Sequence, residues 1–416
     1  MSPLRIFFPA LVFVGGIVLM SGILTPTAPL SYDRGTPPPG LASSTEAVLT
    51  VPTFVVTHIT PPATVKAAYM TSCIASGKRL RAPLVKLVED TELNALVIDI
   101  KDYTGTLSFD TKDERFPLDK KGCSVPDMKE FIGELHEKGI YVIGRVTVMQ
   151  DASYPKLHPD AAVKKKSDGS IWKDKKGITF VDPGAKEYWE YMVDLGRISY
   201  AMGFDEINYD YIRFPSDGNM SDIAFLRTGS TTKAEQMRRF YAYLGGELRK
   251  EKIPTSADLF GMTTTNTDDL GIGQVLENGL AAFDFIAPMV YPSHYPPNFN
   301  GWKNPNDVPG PVVGFSMKRA VVRANAMEKK ESSCGATRPK TATSTAATST
   351  DPCLAWKPTG LYAHKLRPWL QDFDYGGDYD AADVRAQIEA TYDAGLNSFM
   401  MWDPSNKYTP IAYHVE

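Results

Sequence analysis

The sequence predicts an α/β protein folded as a (β/α)8 barrel. Three observations carry that prediction. Short apolar runs of strand character alternate with longer stretches whose apolar residues recur at helical spacing, from about Val65 onward. Strands separated by helices pair in parallel, and eight such runs over this length suit a closed barrel. Polar residues collect at the C-terminal ends of the strand runs, where barrels of this kind keep their sites. An open doubly wound sheet is the competing architecture. It usually brings a glycine-rich phosphate loop, and neither G-x-G-x-x-G nor G-x-x-x-x-G-K-[ST] occurs.

In chain order the strand runs are Ala67–Thr71, Ala95–Lys101, Tyr141–Val148, Glu206–Ile212, Thr255–Phe260, Phe285–Tyr291, Leu361–Trp369 and Ser398–Trp402. The helical stretches between them are Arg79–Thr91, Asp127–Lys138, Ala185–Met202, Lys233–Lys250, Gly273–Ala282, Met317–Lys330 and Ala381–Ala394. Within Asp127–Lys138, for example, Met128, Phe131, Ile132 and Leu135 share one face. Lys138-Gly139 and Ala394-Gly395 read as helix stops.

The flanking regions differ in composition. The chain has 416 residues and is 43% hydrophobic, enough for a substantial core. Ile6–Leu24 is almost wholly apolar and follows Arg5. A bilayer-spanning helix needs roughly 20 such residues, so residues 1–24 read as a signal anchor, with a cleaved signal peptide as the second reading. Arg5 on the short side favours the N-terminus inside. Either way the rest of the chain lies outside the cytoplasm, single-pass and membrane-held or secreted. Residues 25–62, rich in Pro, Thr, Ser and Gly, lack a periodic apolar pattern and read as a disordered stalk. Residues 63–416 are the barrel. They are interrupted by a low-complexity insertion, 329–358, centred on Thr-Ala-Thr-Ser-Thr-Ala-Ala-Thr-Ser-Thr.

Four cysteines suit an oxidising compartment. Of the three connectivities, Cys73–Cys123 with Cys334–Cys353 is preferred; unpaired thiols are the other reading. None has zinc-ligand spacing. The net charge of -4 and pI near 6.0 lack the concentrated basic face of a nucleic-acid binder, so no nucleic-acid partner is expected.

The most informative stretch is Phe204–Gly218, whose strand carries Glu206, Asn208 and Asp210 on one face and Ile207, Tyr209 and Tyr211 on the other. A polar stripe in apolar surroundings is costly unless paired. Other strand ends are polar too. Asp99 and Lys101 share a face, as do Arg145 and Thr147. Asp258, Tyr291 with His294, Arg367 with Trp369 and Gln371, and Trp402 with Asp403 follow. Any single one of these can be a structural pair or plain packing, such as Asp99 or Glu206 with Lys101 or Arg145. Their convergence points to a polar ligand. Sugars fit: hydroxyls for carboxylates and amides, and C–H faces for Trp302, Trp369, Trp402, Tyr291 and Tyr295. Acyl transfer finds no Gly-x-Ser-x-Gly, and the six His form no H-x-x-x-H pair on a helix. Glycoside hydrolysis needs two carboxyl groups.

Four runs resemble a bacterial family named "putative glycoside hydrolase", a domain of unknown function among glycoside-hydrolase-like TIM barrels. They are Asn94–Asp102, Asp205–Pro215, Pro288–Tyr295 and Arg367–Phe373. The resemblance runs from about Ala67 to the C-terminal end. Two departures are the 329–358 insertion and Asp403, where the family's Trp-x-Pro-Ser-Asn-type motif leads one to expect Asn. Related sugar-cleaving barrels place a catalytic Asp at the end of strand four, which implies Asp210 as nucleophile or transition-state stabiliser. Asp258 is the expected general acid/base, with Glu206, deeper in the barrel, as the alternative. Arg145 and Arg213 can keep Asp210 ionised. Substrate contacts are expected from Asp99, Lys101, Arg145, Asn208, Arg213, Tyr291, His294, Arg367, Trp369, Gln371, Trp402 and Asp403. No cofactor is expected; the partners are a polysaccharide or other glycan and, through the N-terminal segment, the membrane. Two other readings stand beside hydrolysis: a non-catalytic glycan-binding barrel, and a metal-dependent hydrolase with Asp210, Asp258 and His294 as ligands.

Overall fold

A computed structural model describes residues 55–332, 354–358 and 362–415. Eight parallel strands close into a barrel: β1 (Lys66–Met70), β2 (Ala95–Lys101), β3 (Tyr141–Thr147), β4 (Glu206–Asp210), β5 (Thr255–Phe260), β6 (Phe285–Met289), β7 (Trp369–Gln371) and β8 (Phe399–Trp402). Each pairs with the next in sequence, and β8 closes on β1 with Ala67 beside Met400. Helices α1 (Lys78–Asp90), α2 (Met128–Glu137), α3 (Lys186–Met202), α4 (Lys233–Lys250), α5 (Leu276–Ala282), α6 (Pro309–Ala326) and α7 (Ala381–Asp393) connect successive strands.

Strand parity produces two cores. Inside the barrel, Ala67, Tyr69, Val97, Tyr141, Ile143, Ala287, Trp369 and Met400 pack together. Outside it, the alternate residues, Ile207 and Tyr209 among them, meet the apolar faces of the helices. Glu206, Asn208 and Asp210 therefore face the interior, as their spacing predicts.

Four differences from the sequence reading have physical causes. Strand β4 stops at Asp210 because Tyr211 takes a left-handed backbone, φ 51°. Helix α6 starts at Pro309, eight residues before Met317. Pro309, Gly310 and Pro311 hide its first turn from a propensity reading, although proline is tolerated there. Gly310 is placed where a Cβ would come within 3.1–3.2 Å of Ala386, so small residues let α6 and α7 approach closely. Strand β7 is three residues long and begins where Leu361–Trp369 was expected to end; upstream only Leu366 bridges to Ile286. In β2 the register slips between Asp99 and Lys101, so the two do not share a face.

The chain from Thr57 is already engaged with the barrel floor, ahead of the composition change near residue 62. Ile59 packs beneath the interior core and its N–H donates to Asp205 at 2.6 Å. His58 stacks on Tyr200 with ring centres 3.8 Å apart. Cys73 and Cys123 are joined by a disulfide. Cys334 and Cys353 lie outside the described residues, as does Ile6–Leu24. Among the described residues no helix is long and apolar enough to cross a membrane. The insertion begins and ends in an antiparallel pair of strands, Glu328–Ser332 with Leu354–Pro358.

Candidate active site

The C-terminal ends of β3 to β6 and β8 surround a cavity of about 420 Å³. Of the residues expected at the site, Asp210, Asp258, Arg145, Arg213, Tyr291, His294, Tyr295 and Trp402 line it.

Arg145, on β3, is the hub. Its Nη1 donates to Asp99 Oδ1 at 2.7 Å and its Nη2 to Asp210 Oδ2, and its Nε stands 3.9 Å from Asp258 Oδ2. Its guanidinium lies 5.0 Å from the centre of the Trp402 ring, which stacks on Tyr69. Asp99 accepts the Tyr69 hydroxyl as well and lies beneath the cavity as Arg145's anchor rather than as a substrate contact.

The two rim carboxyls have unequal surroundings. Asp210 faces Arg145 and accepts the Tyr211 N–H at 2.5 Å. Asp258 is buried, and its Oδ1 accepts the Trp369 indole N–H at 2.8 Å and an Asn208 amide N–H at 2.9 Å. Burial first, and then the negative charge of Asp210, push the Asp258 carboxyl well above the usual carboxylate range. With Oδ1 taken by two donors, the proton belongs on Oδ2, the oxygen nearer Arg145.

His294 is set by a short relay. The Gln371 Nε2 donates to the Phe373 carbonyl at 2.9 Å, which turns its Oε1 to accept the Ser293 hydroxyl at 2.8 Å. That hydroxyl has given its only proton, so at 3.0 Å it accepts from His294 Nδ1. The neutral ring then keeps Nε2 as an acceptor. Burial lowers the His294 pKa and favours this neutral form.

Several expected contacts fall elsewhere. Glu206 is fully buried on the floor, where it accepts Arg367 at 2.8 Å and Tyr141 at 3.1 Å; both Glu206 and Arg367 are structural. Lys101 faces the helices and pairs with Asp151 at 2.8 Å and with the Thr147 carbonyl. Asn208 and Trp369 lie one layer below the cavity and hold Asp258. Gln371 acts through Ser293. Asp403 accepts the Ser405 N–H at 2.5 Å, shaping the turn after β8, and lines a separate shallow pocket with Asp372. Trp302 packs on Phe299 and Phe315 rather than in the cavity. Among the described residues no three His, Cys, Asp or Glu side chains come together to hold a metal, so Asp210, Asp258 and His294 do not form a ligand set.

The cavity also has walls that the sequence reading missed. Tyr211, Phe260, Met262, Met289 and Phe373 line it as well. Parity predicts an outward Tyr211; its left-handed backbone turns it inward. Gly261 is required at the rim, since a Cβ there would fall 2.3 Å from the Met289 carbonyl oxygen.

A closed (β/α)8 barrel whose mouth brings two carboxyl groups to one guanidinium has the architecture of the sugar-cleaving barrels. The chain belongs to the family described as "Putative glycosyl hydrolase domain", which matches residues 67–339 and 333–408. Among solved structures, a hypothetical protein from Ruminiclostridium thermocellum is 27% identical, over 49% of this chain and 98% of that one, with a TM-score of 0.40. The PgaB glycoside hydrolase domain from Bordetella bronchiseptica is 12% identical, over 82% of this chain and 94% of that one, with a TM-score of 0.53. The second likeness is one of fold. No curated protein matches the sequence. Family and fold together support a glycoside hydrolase.

Proposed function

We propose that the chain hydrolyses glycosidic bonds of an envelope or other extracellular polysaccharide, with Asp258 as general acid and Asp210 as nucleophile or stabiliser of an oxocarbenium-like transition state. The observation that carries this reading is the unequal pair: a buried carboxyl kept protonated beside a carboxylate held by Arg145. Asp258 Oδ2 gives its proton to the glycosidic oxygen as the bond to the anomeric carbon breaks. The leaving sugar departs with that proton, and Asp258 becomes a carboxylate. Arg145 Nε has no hydrogen-bond partner and lies 3.9 Å away, so it is placed to receive the new charge. Water completes the reaction, activated by the Asp258 carboxylate in a retaining enzyme and by Asp210 in an inverting one.

The apolar Ile6–Leu24 segment and the Cys73–Cys123 disulfide support a barrel held outside the cytoplasm by its N-terminal segment, with residues 25–54 as stalk. Periplasmic or surface exposure of the barrel to added protease in intact cells tests that placement.

One observation favours a second reading. The ion pair of Asp210 with Arg145 suits a glycan-binding barrel without turnover. A glycan hydrolysis screen of the full-length chain beside Asp210→Asn and Asp258→Asn decides between them. Cleavage that both variants lose supports hydrolysis. Binding without cleavage by the unaltered chain supports the second reading. Undiminished cleavage by Asp210→Asn would falsify the catalytic assignment.

A further inference from the structure

Four arginines of the described residues are buried: Arg81, Arg145, Arg213 and Arg367. Arg81 pairs with Asp127, Arg145 with Asp99 and Asp210, and Arg367 with Glu206. Arg213 is different. It is 8% exposed and lines the cavity, yet no Asp or Glu among the described residues forms an ion pair with it. Its one hydrogen bond runs from Nη1 to the Phe214 carbonyl at 3.0 Å. Nε and Nη2 have no acceptor among the described residues. The guanidinium carbon lies 4.8 Å from the ring centres of both Tyr211 and Phe260, and these contacts fix the group's position. Asp210, Asp174 and Asp217 act on it only at longer range, and burial lowers its pKa. Buried charges are normally paired, and the unmatched donors of Arg213 border the cavity.

We propose that Arg213 forms a subsite for the carboxylate of an acidic sugar, so that the substrate is an acid-bearing glycan; this rests on the hydrolase reading above. A guanidinium edge presents two parallel N–H groups that match the two oxygens of a planar carboxylate. A hydroxyl would use one donor and leave the charge unbalanced. The ring contacts of Tyr211 and Phe260 hold the fork before the ligand arrives, which reduces the entropy lost on binding. The acid must be a group other than the bond being cleaved, since Asp210 and Asp258 engage that bond in the proposed reaction. A uronate carboxyl and an ether-linked lactyl carboxyl, as on a muramic-type sugar, both meet this requirement.

Calorimetric titration of the full-length chain with uronate oligosaccharides and with muramic-type oligosaccharides, each beside its carboxyl-reduced twin, tests the subsite. At least one acidic glycan is expected to bind ~10- to 100-fold tighter than its reduced twin, the range of a charge-assisted hydrogen-bond pair. Which one does so identifies the source of the carboxylate. The preference should collapse to about 1- to 2-fold in Arg213→Gln. In Arg213→Lys, which keeps the charge without the fork, it should be intermediate, and this second variant carries the test if Arg213→Gln loses its cooperative melt. Equal binding of acidic and reduced glycans, no binding of either acidic glycan, or a preference that survives Arg213→Gln overturns the proposal. Acid preference without cleavage keeps the subsite and removes the hydrolase reading. Cleavage without acid preference does the reverse.

Discussion

Strand β4 carries acidic residues at both ends of the barrel, and the two ends treat them differently. At the floor each carboxylate is met by a cation or by several N–H donors, although Glu206 Oε1 itself has no hydrogen-bond partner. Asp205, just ahead of the strand, takes N–H groups from Ile59 and Val142 and the His136 ring at 2.6–2.9 Å. Burial alone would raise its pKa; these bonds, with His58 nearby, bring it below the usual range. Glu206 is matched by Arg367. At the mouth the matching is left incomplete. Among the described residues Asp258 is buried without a full charge partner, Arg145 Nε is unpaired, and Arg213 has no ion-pair partner. Residue type does not separate a structural carboxylate from a reactive one; the count of donors and acceptors around it does.

The comparison can be broken at either end. The largest effect is expected from Asp258→Asn and Asp210→Asn, which should each lower kcat/KM by ~10³-fold or more on a cleavable glycan, with the fold intact by circular dichroism. At the floor, Arg367→Met leaves Glu206 buried without its cation. It should reduce stability by about 3–5 kcal/mol in urea unfolding.

Stability against pH should carry opposite signs at the two ends. Asp205 has a lowered pKa in the folded state, so its contribution is present above the unfolded value of about 3.9 and is lost as pH falls through the folded value. Asp205→Asn should therefore cost about 2 kcal/mol at pH 7, and the cost should shrink in acid. Asp258 has a raised pKa, so the folded state retains a proton that the unfolded chain releases, and the group destabilises above the ordinary carboxylate range. Asp258→Asn should be more stable than the unaltered chain at pH 7, by about 1 kcal/mol. A stability loss there would show that Asp258 is matched like Asp205. The same proton predicts that kcat/KM falls as pH rises through the Asp258 value.

The smallest effect is expected at Gln371. Gln371→Ala frees the Ser293 hydroxyl and releases the His294 tautomer. KM should rise roughly 3- to 10-fold with kcat little changed, the loss of one neutral hydrogen bond. Nitrogen NMR of the ring should show the Nδ1–H form replaced by a mixture.

Much of this was legible in the sequence, because parity is a local property. Alternation put Glu206, Asn208 and Asp210 on one face, and the expected barrel order set Asp258 at the end of the next strand. Position along β4 already placed Glu206 deeper than Asp210, whereas the face alone left Arg367 expected at the site although it pairs with Glu206 on the floor. Parity fails where the backbone departs from regular strand. The slip after Asp99 sends Lys101 to the helices, and the left-handed turn at Tyr211 brings an outward residue into the cavity. The seventh strand slipped because its hydrogen-bonded part is only Trp369–Gln371, too short for a period to show.

The segment from Val55 to Ile59 also determines where a mechanical load would enter. The chain joins the barrel at the floor, through the Ile59 N–H on Asp205 and the His58 ring on Tyr200. A pull applied to the preceding residues would therefore enter at these floor contacts, the end of the barrel opposite Asp210 and Asp258.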